Sequence, residues 1–243
     1  MLKFDPVYFE KCVKQKWNLA RMIRVVEIVG PAGAGKTTLC QALDCYSEYV
    51  RLENFPDVRK VVNAPFFISN GLRLLPSLLG LYRLNSRQLT RREFAWMSIL
   101  NGWPSILRKE SDDSGKVIVL DQGPIYLLAE MRLFGPEYLR QKTAERLWQV
   151  LYSRWVNILH LVIWLDAAND VLLDRIRTRQ QEHIVKTEPA TVVYEFLDRY
   201  RFEYNSILSN LTSQKSGIKI LQFDTERQHT QDIAKQSWSE ICS

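Results

Sequence analysis

The 243-residue chain predicts an α/β fold, a parallel sheet covered by helices on both faces. Three observations carry this. Val117-Ile118-Val119-Leu120 and Leu161-Val162-Ile163-Trp164-Leu165 are continuous apolar runs, the pattern of strands buried on both sides. Segments with helical periodicity lie between the apolar runs, in the order that builds βαβ units. A β-branched run at 23–29 ends in a glycine-rich turn that opens a helix.

The elements follow in order. Residues 7–22 alternate apolar and basic side chains in a helical rhythm, with net charge +3 over 1–22. They predict a leader helix lying on the domain, with a peripheral membrane role as the alternative. The strand at 23–29 precedes a helix from Lys36 to about Ser47 and a short strand from Tyr49 to Glu53, stopped by Asn54-Phe55-Pro56. Residues 57–110 read as helices with interruptions. One start there is well marked: Thr90 and Glu93 form a capping box, with Leu89 and Phe94 as a hydrophobic staple. That helix is expected from Arg91 to about Asn101, where Gly102 and Pro104 interrupt it. After the strand 117–120, Leu147, Leu151 and Trp155 stand four apart and predict a helix over 137–158. The strand 161–165 is followed by helices at 170–179 and 191–208, a strand at 218–223 and a closing helix at 228–241. No repeat, low-complexity tract or linker divides the chain. The expected organisation is a leader over 1–22 and one domain over 23–243.

Composition excludes several classes. The chain is 46% hydrophobic and 25% charged, ordinary for a folded domain and unlike a disordered or fibrous chain. Its net charge of +6 is local, because residues 71–109 carry seven basic side chains and only Glu93 against them. The remaining 204 residues are neutral in sum. A nucleic-acid coat is therefore disfavoured and a local anion-facing surface favoured. Cys12, Cys40, Cys45 and Cys242 form no CxxC pair, and His160, His183 and His229 are scattered, so neither structural zinc nor a disulfide framework is expected. No secretory signal and no apolar stretch long enough to span a bilayer are read. The expected compartment is the cytoplasm.

Gly30-Pro31-Ala32-Gly33-Ala34-Gly35-Lys36-Thr37 fits G-x-x-x-x-G-K-[ST] at every fixed position, between a strand and a helix as the pattern requires. The chemistry is specific. Gly30, Gly33 and Gly35 let the backbone curl so that successive N–H groups, those of Ala34 through Thr38 among them, converge on an anion. The helix N-terminus adds partial positive charge. Lys36 reaches the outer phosphates of a nucleotide and the Thr37 hydroxyl ligates its Mg²⁺. The expected cofactors are ATP and Mg²⁺.

A triphosphate site needs a carboxylate for the metal, and Asp121 ends a buried strand where one belongs. A turn or cap aspartate is the alternative. Asp166 ends another strand and reads as structural. Arg175, Arg177 and Arg179 close a predicted helix, and Arg175 and Arg179 share a face four residues apart. Guanidinium groups suit the spread charge of a transferring phosphoryl group, whereas a solvated basic helix end is the plainer reading. Arg91 and Arg92 occupy a first helical turn, where cations oppose the dipole. An anion docking beside them would explain that placement.

These pieces resemble the thymidylate kinase and deoxynucleoside kinase branch of P-loop kinases. The matching segments are GPAGAGKTT (30–38), VIVLDQGP (117–124), LVIWLDAANDVLLDRIRTRQQE (161–182), FLDRYRFEY (196–204) and ILQFDT (220–225). The resemblance implies a P-loop NTPase with five parallel strands, an arginine-bearing lid over 175–188 and a helical acceptor-binding region over 57–110. It gives Lys36 and Thr37 the phosphate and magnesium roles, aligns Arg175 and Arg179 with lid arginines, and aligns Asp121 with the acid of the DR or ER motif. Glu53 resembles the glutamate near the acceptor, with a surface carboxylate as its alternative. Gln122 stands where the family usually has arginine, and no arginine follows Phe94-Ala95-Trp96-Met97-Ser98. Each departure removes a charge-assisted contact to an acceptor phosphate, worth roughly 1.5–3 kcal/mol.

The expected function is phosphoryl transfer from Mg-ATP to a small-molecule acceptor, an anionic one fitting the local charge. Lys36, Asp121, Arg175 and Arg179 are the expected catalytic residues, and Glu53, Arg91, Arg92 and Gln122 line the acceptor. The alternatives are a nucleotide-binding regulatory or assembly protein, and a membrane-facing kinase of a lipid or polyprenol, suggested by Phe66-Phe67 and Leu74–Leu84 beside arginines. Phe66, Phe67, Trp96 and Trp103 read as core or as a stacking surface. By analogy with the family, 137–158 could form a homodimer helix.

Overall fold

Each buried apolar run becomes a strand of one parallel sheet in the computed structural model, which describes residues 25–45, 49–81, 87–114, 116–214 and 217–242. The expected leader helix over 1–22 lies outside the described residues. The strands are β1 (Val25–Val29), β2 (Val50–Glu53), β3 (Val117–Leu120), β4 (Leu161–Asp166) and β5 (Lys219–Asp224). Their spatial order is β2-β3-β1-β4-β5, and every pairing is parallel. Between them run α1 (Lys36–Asp44), α2 (Ala64–Leu81), α3 (Arg91–Ser114), α4 (Pro124–Phe134), α5 (Glu145–Trp155), α6 (Asn169–Thr178) and α7 (Ala190–Gln214), and α8 (Thr230–Ile241) closes the chain.

Strand alternation sorts the core into two layers. Val25, Val29, Ile118, Leu120, Val162 and Trp164 face the layer formed with α2, α3, α4, α5 and most of α7. Val26, Ile28, Val119, Ile163 and Leu165 face α1, α6 and α8. The chain leaves β1 toward β2 and β3 on one side and later crosses to β4 and β5 on the other. The carboxyl ends of the strands beside β1 therefore border a topological switch point, where such sheets bind ligands.

Three helices differ from the sequence expectation. The helix beginning at Arg91 does not stop near Asn101 but runs 24 residues to Ser114, through Gly102 and Pro104. Pro104 has no N–H for the Leu100 carbonyl, and the indole N–H of Trp155 donates to that oxygen instead, at 2.9 Å. Gly102 fits because its helix packs close to α2: a Cβ there would stand 2.3 Å from the Asn70 amide nitrogen. The capping box forms as expected, with Thr90 N donating to Glu93 Oε2 at 2.7 Å and Glu93 N to Thr90 Oγ1 at 3.2 Å.

Next, α4 has no counterpart in the sequence reading. It is buried nearly all round, so it lacks the one-sided periodicity that marks a surface helix. Finally, the helix expected over 137–158 begins only at Glu145. Glu137–Arg140 and Lys142–Ala144 are 3₁₀ turns, and the Leu139 carbonyl accepts from the Trp148 indole at 2.8 Å. The apolar face of α5 packs into the chain's own core, through Leu147, Trp148, Leu151, Tyr152 and Trp155.

Gly102→Ala tests the close helix pair. Alanine favours a helix by about 1 kcal/mol, but its methyl displaces the buried Asn70 amide, which bonds to Phe66 O at 2.9 Å and accepts from Asn101. Overpacking and the disturbed bonds outweigh the propensity gain. The expected result is a net loss of about 1–2 kcal/mol in urea denaturation. A stabilised variant would show that the two helices separate at no cost.

Candidate active site

The loop after β1 has the backbone that only glycine tolerates. Gly30, Gly33 and Gly35 have φ of 151°, 84° and 88°. A Cβ on Gly30 would stand 2.1 Å from the Leu165 carbonyl oxygen, and one on Gly33 2.9 Å from that of Leu172. The loop is thus pressed against the end of β4 and against α6, and α1 starts directly at Lys36. Ala34 is buried, while Thr37 and Thr38 are exposed at the head of the helix. The Lys36 ammonium folds over the loop and donates to Gly30 O at 2.8 Å and Pro31 O at 3.0 Å. Burial lowers its pKa to about 8, with Asp121 opposing and the Arg179 charge adding to the shift.

Asp121 follows β3 and meets this loop. The Thr37 hydroxyl donates to Asp121 Oδ2 at 2.9 Å, joining residues 84 apart in sequence. The Cys40 thiol lies close enough that burial and the Asp121 carboxylate push its pKa up. Among the described residues, no group of three or more His, Cys, Asp or Glu converges as a metal cage. A hydroxyl and one carboxylate instead fit a magnesium ion carried by nucleotide phosphates, which keeps most of its ligands as phosphate oxygen and water.

Sequence reasoning passed over Glu27, in the middle of β1. Its buried carboxylate accepts from Gly123 N at 3.1 Å, Ile125 N at 3.0 Å and Tyr126 N at 3.1 Å. It thereby caps the start of α4 and fixes the turn just after Asp121. Burial pushes its pKa up to about 8, against these three donors. Gly123 allows the approach, since a Cβ there would lie 2.6 Å from the Glu27 carboxyl carbon. The signal was available: a lone charge inside a strand buried on both faces requires partners.

The two arginines separate in role. Arg175 donates to Thr225 Oγ1 at 2.8 Å, Thr225 O at 2.9 Å and Gly33 O at 3.4 Å, tying the glycine loop to the end of β5. Arg179 has a buried Nε without a hydrogen-bond partner, and its charge bears on both Lys36 and His183. Burial, then Arg179 and Lys36, pulls His183 down to about 4, so it is neutral at neutral pH. The segment 177–189 is stapled to itself by Lys186 Nζ to Arg179 O at 2.6 Å and Arg177 Nη2 to Glu188 O at 3.1 Å. His183 packs edge-on against Phe196 at 5.6 Å.

Asp166 is structural, as its sequence context suggested. Arg201 grips both its oxygens at 2.8 Å and also donates to Ala167 O at 2.8 Å, holding α7 to the end of β4.

On the other side of the sheet, ladder pairing sets Glu53 beside Leu120, next to Asp121 in sequence. Glu53 is ion-paired to Arg51 at 2.8 Å. Gln122 and Arg91 are exposed. Arg92 lies over the Trp96 ring, 4.2 Å from its centroid, and its charge reaches Tyr126 and Glu130. Burial raises the Glu130 carboxyl, which accepts from the Tyr200 hydroxyl. Phe67, Trp96 and Trp103 belong to the core, and Phe66 packs against it.

No family model matches the sequence, and no curated protein does. Solved structures do match. Thymidylate kinase from Candida albicans aligns over 90% of this chain and 91% of its own, with TM-score 0.54 and 16% identity. Deoxyadenosine kinase from M. mycoides with bound dATP aligns over 90% of this chain and 100% of its own, with TM-score 0.50 and 14% identity. The chain has the nucleoside and nucleotide kinase fold. The five parallel strands and the helices on both faces expected from the sequence are thus found. In this kinase-fold chain the glycine loop, Lys36, Thr37 and Asp121 come together, within reach of the Arg179 charge. Arg175 is committed to the loop's own support, and Glu53 to Arg51.

Proposed function

We propose that the protein is an ATP-dependent, Mg²⁺-requiring phosphotransferase acting on a small-molecule acceptor. The observation that carries the reading is the contact of Thr37 with Asp121 at the mouth of a glycine nest whose lysine caps its own carbonyls. Lys36 exchanges Gly30 O and Pro31 O for the β- and γ-phosphate oxygens. Thr37 Oγ1 and Asp121 hold the metal, and bound Mg²⁺ neutralises charge on the transferring group. Arg179 stabilises the phosphoryl group as its charge spreads. Arg175 positions the loop through Gly33 O. Arg91, Arg92, Gln122 and Glu53 border the acceptor, which is anionic where it meets the basic 71–109 region.

Calorimetry with ATP, with and without magnesium, tests the first half. The expected result is magnesium-dependent binding in the micromolar range, and its absence overturns the reading. A transfer screen over nucleosides, nucleoside monophosphates, sugars and polyprenols, read by mass spectrometry, tests the second. Binding with no product from any acceptor would favour a regulatory nucleotide-binding protein instead.

A further inference from the structure

The first face of α2 is core, but the second is apolar and covered by nothing among the described residues. Phe67, Leu74, Leu78 and Leu81 point inward. Ile68, Leu72, Leu75 and Leu79 recur at i, i+4, i+7 and i+11, which places them in one outward stripe. Ile68 is 61% exposed, Leu72 59% and Leu79 67%. The preceding 3₁₀ turn continues it with Val61 and Val62, 87% and 81% exposed. Scattered surface leucines need no explanation, but a continuous stripe does.

Charge around the stripe selects its partner. Seven basic residues and no acidic one lie between Asp57 and Glu93. Arg59 and Lys60 precede the stripe at one end, and Arg73 adjoins Leu72. The Asn70 contact with Asn101 and the Gly71 approach to Phe94 show that α2 and α3 run antiparallel. The start of α3, with Arg91, therefore lies toward the other end of α2. Among the described residues, Arg59, Lys60, Arg73 and Arg91 make no ion pair. A two-fold contact between copies of this chain through the stripe would bring Arg73 and the cations at the ends of α2 against one another, which like-charge repulsion opposes. A surface of anionic lipid supplies what both features need: phosphates for the cations, and an acyl boundary for the leucines.

We propose that the exposed face of α2 docks on the surface of an anionic phospholipid bilayer. The chain lies on the membrane and does not cross it, since no helix among the described residues is long and apolar enough to span. The inference is independent of the phosphotransfer reading.

Vesicle sedimentation with the full chain tests it. Vesicles of phosphatidylcholine are compared with the same vesicles containing phosphatidylserine. Binding is expected to the second only, and to fall as salt is raised. Leu72→Glu with Leu79→Glu abolishes it, and Lys60→Glu with Arg73→Glu weakens it by about tenfold or more. All four positions are exposed, so circular dichroism and melting stay as in the wild type. Equal binding to neutral and anionic vesicles, or no binding by the wild type, overturns the proposal. So does a wild-type dimer in ultracentrifugation that the leucine pair converts to monomer, which would assign the face to a second copy. The wild-type result decides even if a variant folds poorly.

Discussion

Lys36→Ala is expected to remove turnover by at least about 10²–10³-fold, while the melting temperature stays near that of the wild type. The lysine folds over the loop, with its ammonium 2.8 Å from Gly30 O and 3.0 Å from Pro31 O. Without it the phosphates meet backbone N–H groups but no mobile counter-charge, and the developing charge of transfer goes unmatched. A second readout is more particular to this site. Burial holds Lys36 near pKa 8, and a bound triphosphate favours the ammonium, so the pKa rises on binding. The sign follows: above about pH 8 the free protein has largely lost the proton, and ATP binding takes one up. Calorimetry at pH 8.5–9, in buffers of different ionisation heat, should show net proton uptake, and Lys36→Arg should abolish it. Uptake that persists in Lys36→Arg would place the titrating group elsewhere.

Glu27→Ala is expected to cost at least about 3 kcal/mol in denaturant unfolding, because three backbone donors at the start of α4 lose their acceptor inside the core. It should also weaken nucleotide binding, since the turn it fixes carries Asp121. A pH effect accompanies this. Burial raises the folded pKa to about 8, above the 4.5 of an exposed glutamate. Between these values the native state keeps a proton that the unfolded chain has released. This contribution is fully present below about pH 4.5 and is lost as pH rises through about 8, by at most about 5 kcal/mol. Glu27→Gln removes the titration and flattens that slope. A variant with the wild-type slope would assign the pH dependence to other groups.

Strands β3 and β4 were readable because burial on both faces leaves a local mark, an unbroken apolar run. The capping box of Thr90 and Glu93 was readable because both its partners lie within one turn. What escaped depends on distant contacts. Pro104 looks like a helix stop until Trp155, 55 residues from Leu100, supplies the missing donor. The nearly all-round burial of α4 leaves no amphipathic period. In the site, Lys36, Thr37 and Asp121 could be named from a motif and a strand end. The commitment of Arg175 to Thr225, the half-burial of His183 against Phe196 and the cap made by Glu27 exist only once the elements pack.

The glycine nest also sets a schedule for the protein's birth. Its supports come from far along the chain: Thr37 to Asp121 spans 84 residues, Glu27 to Ile125 spans 98, and Arg175 to Gly33 spans 142. A ribosome that has exposed the whole motif has therefore exposed none of these distant partners. Parallel pairing of this range is slow to form, and its edges stand open meanwhile. On the proposed reading, nucleotide capture is a late event in synthesis, available only after β4, α6 and Thr225 beyond β5 have emerged, and it marks a chain whose sheet is complete.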